Sequence, residues 1–362
     1  MINTERIAGR QFGLLVFFFI VGNSFLLEPS YLVPEAKQDA WISSLIGIVI
    51  GWLLVWLYNS LGSKFPVQTL TEYSEMILGH WLGKLAAMVL FICFFLIAAI
   101  VLRVLGDFVV IQLMPETPID SILILFLAIT VWGARAGIET IGRTAEILFP
   151  VFFILFISFF MLSAPNFEFK NMQPIVTGTG VNSILRGAIQ FIHFPLMEMV
   201  ALLMLFPYVN SKKSAKRAFH SGMLLGSFVL LTVTTLSILV LGAEAASKQL
   251  YPSFLIAKKI NIAGFLQRIE VIMAIMWFIS ILFRLILYFY GSALSLAQIL
   301  KLRDYRPLTF PLGLILYILC LTVSSNSIEI KNIMSLVGLP FKITYGFLIP
   351  LILLITAKLR KF

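Results

Sequence analysis

Apolar runs of about 20 residues, long enough to cross the hydrocarbon core of a bilayer, follow one another along this chain with short polar gaps between them. They fall near residues 10–34, 40–61, 82–106, 119–135, 141–163, 183–208, 215–242, 266–298, 308–324 and 332–357. The pattern predicts ten transmembrane helices. The fourth and ninth runs are the shortest, and the eighth is long enough to tilt or project beyond the bilayer. Two gaps carry amphipathic patterns of their own. TLTEYSEMILG at 69–79, bracketed by Pro66 and Gly79, reads as a surface helix. Within 243–265, SFLIAKKINIAGFL reads as an amphipathic helix lying on the outer surface.

Two of the ten runs are interrupted in the middle. The first reads VFFFIVGNSFLLEPSYLVPEA, with Gly22, Asn23 and Ser24 at its centre and Glu28-Pro29 beyond them. The sixth, NSILRGAIQFIHFPLMEMVALLMLFPYV, carries His193-Phe194-Pro195 and then Glu198. A proline removes a backbone hydrogen bond and frees a carbonyl one turn earlier. An unsatisfied backbone group in lipid costs several kcal/mol, so interruptions at this depth need a compensating partner. Spans one and six are also the first members of two five-span halves that enter the membrane from opposite sides. Interrupted helices at matching positions of inverted halves point to a transporter-type site near the membrane midplane. The alternative is a pair of unrelated packing kinks.

Composition agrees with the pattern. Of 362 residues, 60% are hydrophobic and 12% charged, against about 45–50% and roughly 25% in soluble proteins. The chain is therefore an all-α polytopic membrane protein, read as a single transmembrane domain over 1–362 with inverted repeats at approximately 10–163 and 183–357. The net charge of +10 does not imply nucleic-acid binding, because the basic residues sit in gaps between apolar runs rather than on a soluble basic face. With ten spans, about 16 of them lie on the side of the chain termini and about 8 on the other. That bias places both termini in the cytoplasm. Arg6 and Arg10 precede the first run as in a signal peptide, but no small-residue cleavage site follows, so an uncleaved first span is expected. Cys93 and Cys320 sit inside apolar runs and read as small buried hydrophobes. No metal spacing, phosphate-binding loop or nucleophile–base motif is recognisable, so neither catalytic residues nor a metal nor another cofactor is expected.

The breaks suggest a ligand by their charge pattern. Amides at Gly22, Asn23 and Ser24, with the positive end of the outer half-helix, would face a carboxylate. Carbonyls from Phe191 to Phe194, freed before Pro195, would face an ammonium group. A zwitterion fits both poles, and an amino acid is the simplest one. Ionisable residues inside the membrane each need a reason. Glu198, next to the second break, can receive a ligand amine or a proton, or be a structural carboxylate. Arg284 in span eight and Lys342 in span ten can pair with Glu198 or Glu28, or stand in as fixed cations for a coupling ion. Glu28 lies nearer the outer water and is expected to be solvated. His193 is expected to be a hydrogen-bonded structural histidine. Arg103 and Asp107, one turn apart, are expected to pair with each other or to snorkel.

Several stretches together carry a resemblance. They are GNSFLLEPS in span one, QDAWIS at the start of span two, FPVQTLTEYSEMILGHWLGK before span three, and VLRVLGDFV with LMPETP after it. AEILFP, FPLMEMVALLMLFPYV, YPSF and LRDYRPLTFPLG continue it over essentially the whole length. The chain closely resembles the endospore germination permeases, the B-subunits of nutrient germinant receptors, within the amino acid–polyamine–organocation transporter superfamily. The resemblance implies a five-plus-five inverted repeat with helices 1 and 6 broken at mid-membrane. It also implies a germinant, often an amino acid, sensed in a cell membrane or spore inner membrane together with an A-subunit and a lipoprotein C-subunit. Gly22, Asn23 and Ser24 match the superfamily's unwound helix one, and Phe194, Pro195 and Glu198 its unwound helix six. Helix five lacks the lysine of many proton-coupled members, and helix eight carries Arg284 where sodium-coupled members use small hydroxyls. These departures count against ordinary ion-coupled uptake. A secondary amino-acid permease is the alternative function.

Overall fold

In the computed structural model, residues 5–260 and 269–361 are described, and nearly all of them are helical. Among the described residues, eight helical runs are long and apolar enough to cross a membrane. The first of these, 9–64, is two helices, α1 (Gly9–Ala36) and α2 (Ala40–Lys64), joined by a short turn. A shorter apolar helix, Arg306–Thr322, stands where the ninth span is expected. The protein is thus a multi-pass membrane protein.

After α2 come the short α3 (Leu70–Leu78), then α4 (His80–Phe108), α5 (Ile119–Ala136) and α6 (Ile138–Ser163). The second half holds α7 (Val181–Phe191), α8 (Lys212–Leu241), α9 (Ala243–Ser247), α10 (Pro252–Lys259) and α11 (Glu270–Ile299). It closes with α12 (Arg306–Thr322), α13 (Ser327–Ile343) and α14 (Ile349–Leu359). Side chains sort as lipid demands. Trp56, Trp81, Trp132 and Leu314 face outward, while Glu28, Glu198, Arg284 and Lys342 are buried. The helix α1 occupies the centre. It is buried over almost its whole length and packs against α6, α7, α8 and α11.

Local signals explain several boundaries. Thr69 and Glu72 form a reciprocal cap, with Thr69 N donating to Glu72 Oε2 at 2.9 Å. Gly79, at φ +87°, ends the same helix. This is the surface helix expected at 69–79; it buries Leu70, Tyr73 and Ile77. The segment after 242 differs from expectation. It forms two short helices, split before Pro252, and Phe254, Ile256 and Ala257 are buried against the bundle instead of lying on its surface. Proline at the first helical position starts α10, so the helix expected from Ser253 onward is present over its described residues, and only its burial departs from the expectation. Residues 261–265 of that expectation, the start of the eighth run and Arg268 lie outside the described residues.

Both expected interruptions are present in the backbone. In α1, Gly22 leaves the helical region at φ 2°, ψ −114°. After α7, the chain passes through a π-helical turn, Ile192–Leu196, which contains Pro195. It then winds as a 3₁₀ helix over Met197–Met204. Proline cannot donate to the carbonyl one turn before it, and the wider turn accommodates the missing bond.

Candidate functional site

At the α1 break, space decides the residue. A Cβ added at Gly22 would lie 2.6 Å from Arg284 Cδ and 2.9 Å from its Cβ, so only glycine lets the α11 side chain cross here. The guanidinium then reaches polar groups on both sides of the kink. Its Nη1 donates to the Phe19 carbonyl at 3.1 Å and to Ser24 Oγ at 3.3 Å. A fixed cation thereby sits against the C-terminal end of the first half of α1, where a helix carries its negative pole.

The 3₁₀ segment after the second break supplies the anion. Glu198 Oε2 accepts from Arg284 Nη2 and from the Tyr288 hydroxyl. Its other oxygen pairs with Lys342 Nζ at 2.6 Å. Arg284 and Tyr288 are four residues apart and share one face of α11, while Lys342 comes from α13. All of these groups are buried. Taking a charge out of water costs several kcal/mol, and one carboxylate holding two cations offsets part of that. Aromatic rings complete the enclosure. The Lys342 ammonium lies 4.5 Å from the Phe194 ring centroid, and Tyr31 packs on Phe194 at 4.9 Å.

The sequence places Glu28 near outer water, and the structure corrects this. Glu28 is fully buried, and neither carboxylate oxygen has a hydrogen-bond partner among the described residues. The chain around it explains the burial: α1 is the central helix, so even its second half is covered by α10 and its neighbours. Nor does Glu28 pair directly with Arg284 or Lys342, both of which go to Glu198. The amide oxygen of Asn23 is likewise buried without a partner.

A cavity of about 30 Å³ lies at this junction. Asn23, Phe194, Glu198, Arg284 and Lys342 line one side. An aliphatic stripe of α4, including Ile97, Val101 and Val104, lines the other. Such a space holds roughly one or two water molecules, far below the roughly 300 Å³ at which small-molecule pockets begin. The site is closed in this conformation.

Of the residues expected from sequence, Asn23, Phe194, Glu198, Arg284 and Lys342 therefore meet. Ser24 and Gly22 stand behind Arg284, and Pro195 is buried in the π turn. Phe191 does not join them. Its ring packs against α2, where a Cβ at Gly47 would come within 2.6 Å of it. His193 is buried in the π turn, with its ring against the backbone carbonyls of Ile189 and Gln190. Tyr288, Tyr31 and the α4 stripe are absent from the sequence reading. For Tyr288 a signal exists in the four-residue spacing from Arg284.

Farther along α4, Arg103 and Asp107 pair at 3.0 Å as expected, but both are buried and neither snorkels. Arg103 also donates to the Ser325 carbonyl, and Asp107 Oδ2 accepts from Ser327 Oγ at 2.7 Å. The pair thus ties α4 to the start of α13.

Comparison with known proteins gives this geometry a context. Two proteins of Bacillus subtilis (strain 168) are each 28% identical to the chain. Spore germination protein KB aligns over 98% of this chain and 95% of its own length. Spore germination protein YndE aligns over 99% and 98%. Among solved structures, MhsT in complex with L-phenylalanine superposes with a TM-score of 0.70 at 16% identity, over 97% of this chain and 98% of that one. MHP1, a nucleobase-cation-symport-1 family transporter, superposes at 0.66 and 12% identity, over 87% and 72%. At these identities the likeness establishes the fold, that of transporters built from inverted helical repeats. The profile of one family, described as spore germination protein, matches residues 6–328. On that match, the chain belongs to the spore germination protein family.

Proposed function

We propose that this chain is the ligand-sensing membrane subunit of a spore nutrient germinant receptor, and that it binds a small nutrient, an amino acid, where the two broken helices meet. The observation that carries the reading is the Glu198–Arg284–Lys342 cluster. It joins both breaks beside a small cavity, with an unpartnered Asn23 amide oxygen in the wall. The repeats are 10–163 and 183–357, both termini face the cytoplasm, and the membrane is the spore inner membrane. An A-subunit and a lipoprotein C-subunit act with it and convert the ligand's effect into ion release.

The poles of the site differ from the arrangement read off the sequence. Arg284 already fills the α1 break, and Glu198 already holds two cations. Lys342 is then the group that turns to a ligand carboxylate, and the unpartnered oxygens of Asn23 and Glu28 are the acceptors for the ammonium. The aliphatic face of α4 suits an apolar side chain. Because the cavity is closed, binding requires an expanded state, and the ligand shifts that equilibrium only by its differential affinity.

Full-length protein in detergent, screened by thermal shift against the L-amino acids, tests this. One or more should raise the apparent melting temperature, and Asn23→Leu should abolish the rise. A full rise in Asn23→Leu would show the site to be elsewhere. A second reading, an amino-acid permease, draws on the fold shared with MhsT. Saturable counterflow of the same amino acid in proteoliposomes would favour it over sensing.

A further inference from the structure

The first turns of α1 and α8 run side by side at the membrane boundary, and a groove of about 530 Å³ opens between them. Its rim carries Arg10, Lys213 and Arg217, and Ser214 lies within it. Deeper in, Leu14 and Leu225 form apolar walls. The cations are poorly compensated. Arg10 approaches Glu146 only to 3.9 Å, and Lys213 and Arg217 make no ion pair among the described residues. The α8 N-terminus adds to the same field. Its first amides lack intrahelical partners, and the Ser211 hydroxyl caps Ser214 N at 3.3 Å. A concave surface with one sign of charge concentrates an anion from solution.

The groove is layered as a lipid is. Leu225 lies eight residues beyond Arg217, roughly 12 Å deeper along the helix, and its side chain is 47% exposed on the bilayer face. A free anion would use the rim and leave this apolar depth empty. A phosphate attached to an acyl chain uses both.

We propose that the groove between α1 and α8 is a binding site for an anionic phospholipid. The phosphate sits among Arg10, Lys213 and Arg217, and an acyl chain descends along Leu14 and Leu225. Close backbone packing below the rim fixes the geometry: a Cβ at Gly13 would meet the Ala218 carbonyl at 3.3 Å, so α1 and α8 cannot slide together with larger residues between them. A bound lipid would therefore bridge the broken helix α1 to α8. The site is independent of the nutrient cavity.

The test uses full-length protein in mild detergent and native mass spectrometry, with phosphatidylglycerol, phosphatidylcholine and inorganic phosphate as probes. Wild-type protein should retain one phosphatidylglycerol in preference to phosphatidylcholine. A juxtamembrane cation contributes about fivefold in affinity for an anionic lipid, so Arg10→Gln/Lys213→Gln/Arg217→Gln should weaken binding on the order of a hundredfold. Arg217→Gln alone, the variant to use if the triple change does not fold, should weaken it about fivefold. Lys212→Gln/Lys216→Gln alters the same helix turn outside the groove and should leave binding unchanged. The proposal is overturned if both sets of variants lose affinity alike, if phosphatidylcholine is retained equally, or if inorganic phosphate displaces the lipid at equal concentration.

Discussion

Glu198→Gln is the sharpest test of the buried cluster. The substitution keeps the volume and an acceptor for Tyr288, but it deletes the charge with which both Arg284 and Lys342 pair. Arg284 cannot shed its proton in a protein, so it remains a buried cation without its anion. Removing one partner of a buried pair costs about 3–5 kcal/mol. Lys342→Met is the instructive contrast. It removes one of two cations, leaves Glu198 bonded to Arg284 and Tyr288, and puts an apolar chain beside Phe194. Its cost should be about 1.5 kcal/mol, the lower end for a hydrogen bond to a charged group. Thermal unfolding in detergent, followed by tryptophan fluorescence, converts these to falls of about 5 °C and about 2 °C for a chain of 362 residues. The double variant buries one unpaired cation instead of two, so it should be more stable than the two single costs predict, by about 1 kcal/mol. Equal falls for the two single variants, or strict additivity in the double, would refute the shared-anion description.

Three further outcomes are expected. Gly22→Ala should lose about 1–3 kcal/mol through overpacking against Arg284 and should also abolish the amino-acid thermal shift; unchanged stability would mean that Arg284 does not cross the kink. Amino-acid binding, titrated calorimetrically, should be the same in sodium and in choline buffers, because a guanidinium already sits at the Phe19 carbonyl; a tenfold sodium dependence, about 1.4 kcal/mol, would contradict this. Asp107→Ala should cost about 2–3 kcal/mol by leaving Arg103 without its carboxylate and should speed amide exchange at the start of α13; exchange at the wild-type rate would remove the tie to Ser327.

Much of this was legible in the chain because lipid makes backbone disorder expensive. Gly-Asn-Ser at 22–24 and Pro195 stand out only against apolar neighbours, and both mark real departures from the helix. The charge partners were legible for the same reason, since Glu198, Arg284 and Lys342 have no water to turn to. Rotation and depth were not. Phe191 and Phe194 are three residues apart, yet one faces Gly47 and the other the cavity. Glu28 looked close to outer water because sequence gives distance along a helix, not what stands around it. The residues MEMVALLM favour an α-helix by propensity, so nothing local announced the 3₁₀ winding of 197–204.

The 3₁₀ segment has a mechanical consequence. Eight residues wound at 2.0 Å each span about 16 Å, whereas an α-helix of the same residues spans about 12 Å. Rewinding would shorten the segment by about 4 Å and rotate Glu198 about the axis while keeping backbone bonds. The segment after α7 therefore carries a reserve of length beside its charged side chain. A change at the cluster can be passed to Tyr208, and through its carbonyl to Ile7 at 2.9 Å, as a pull along the chain instead of a swing of whole helices.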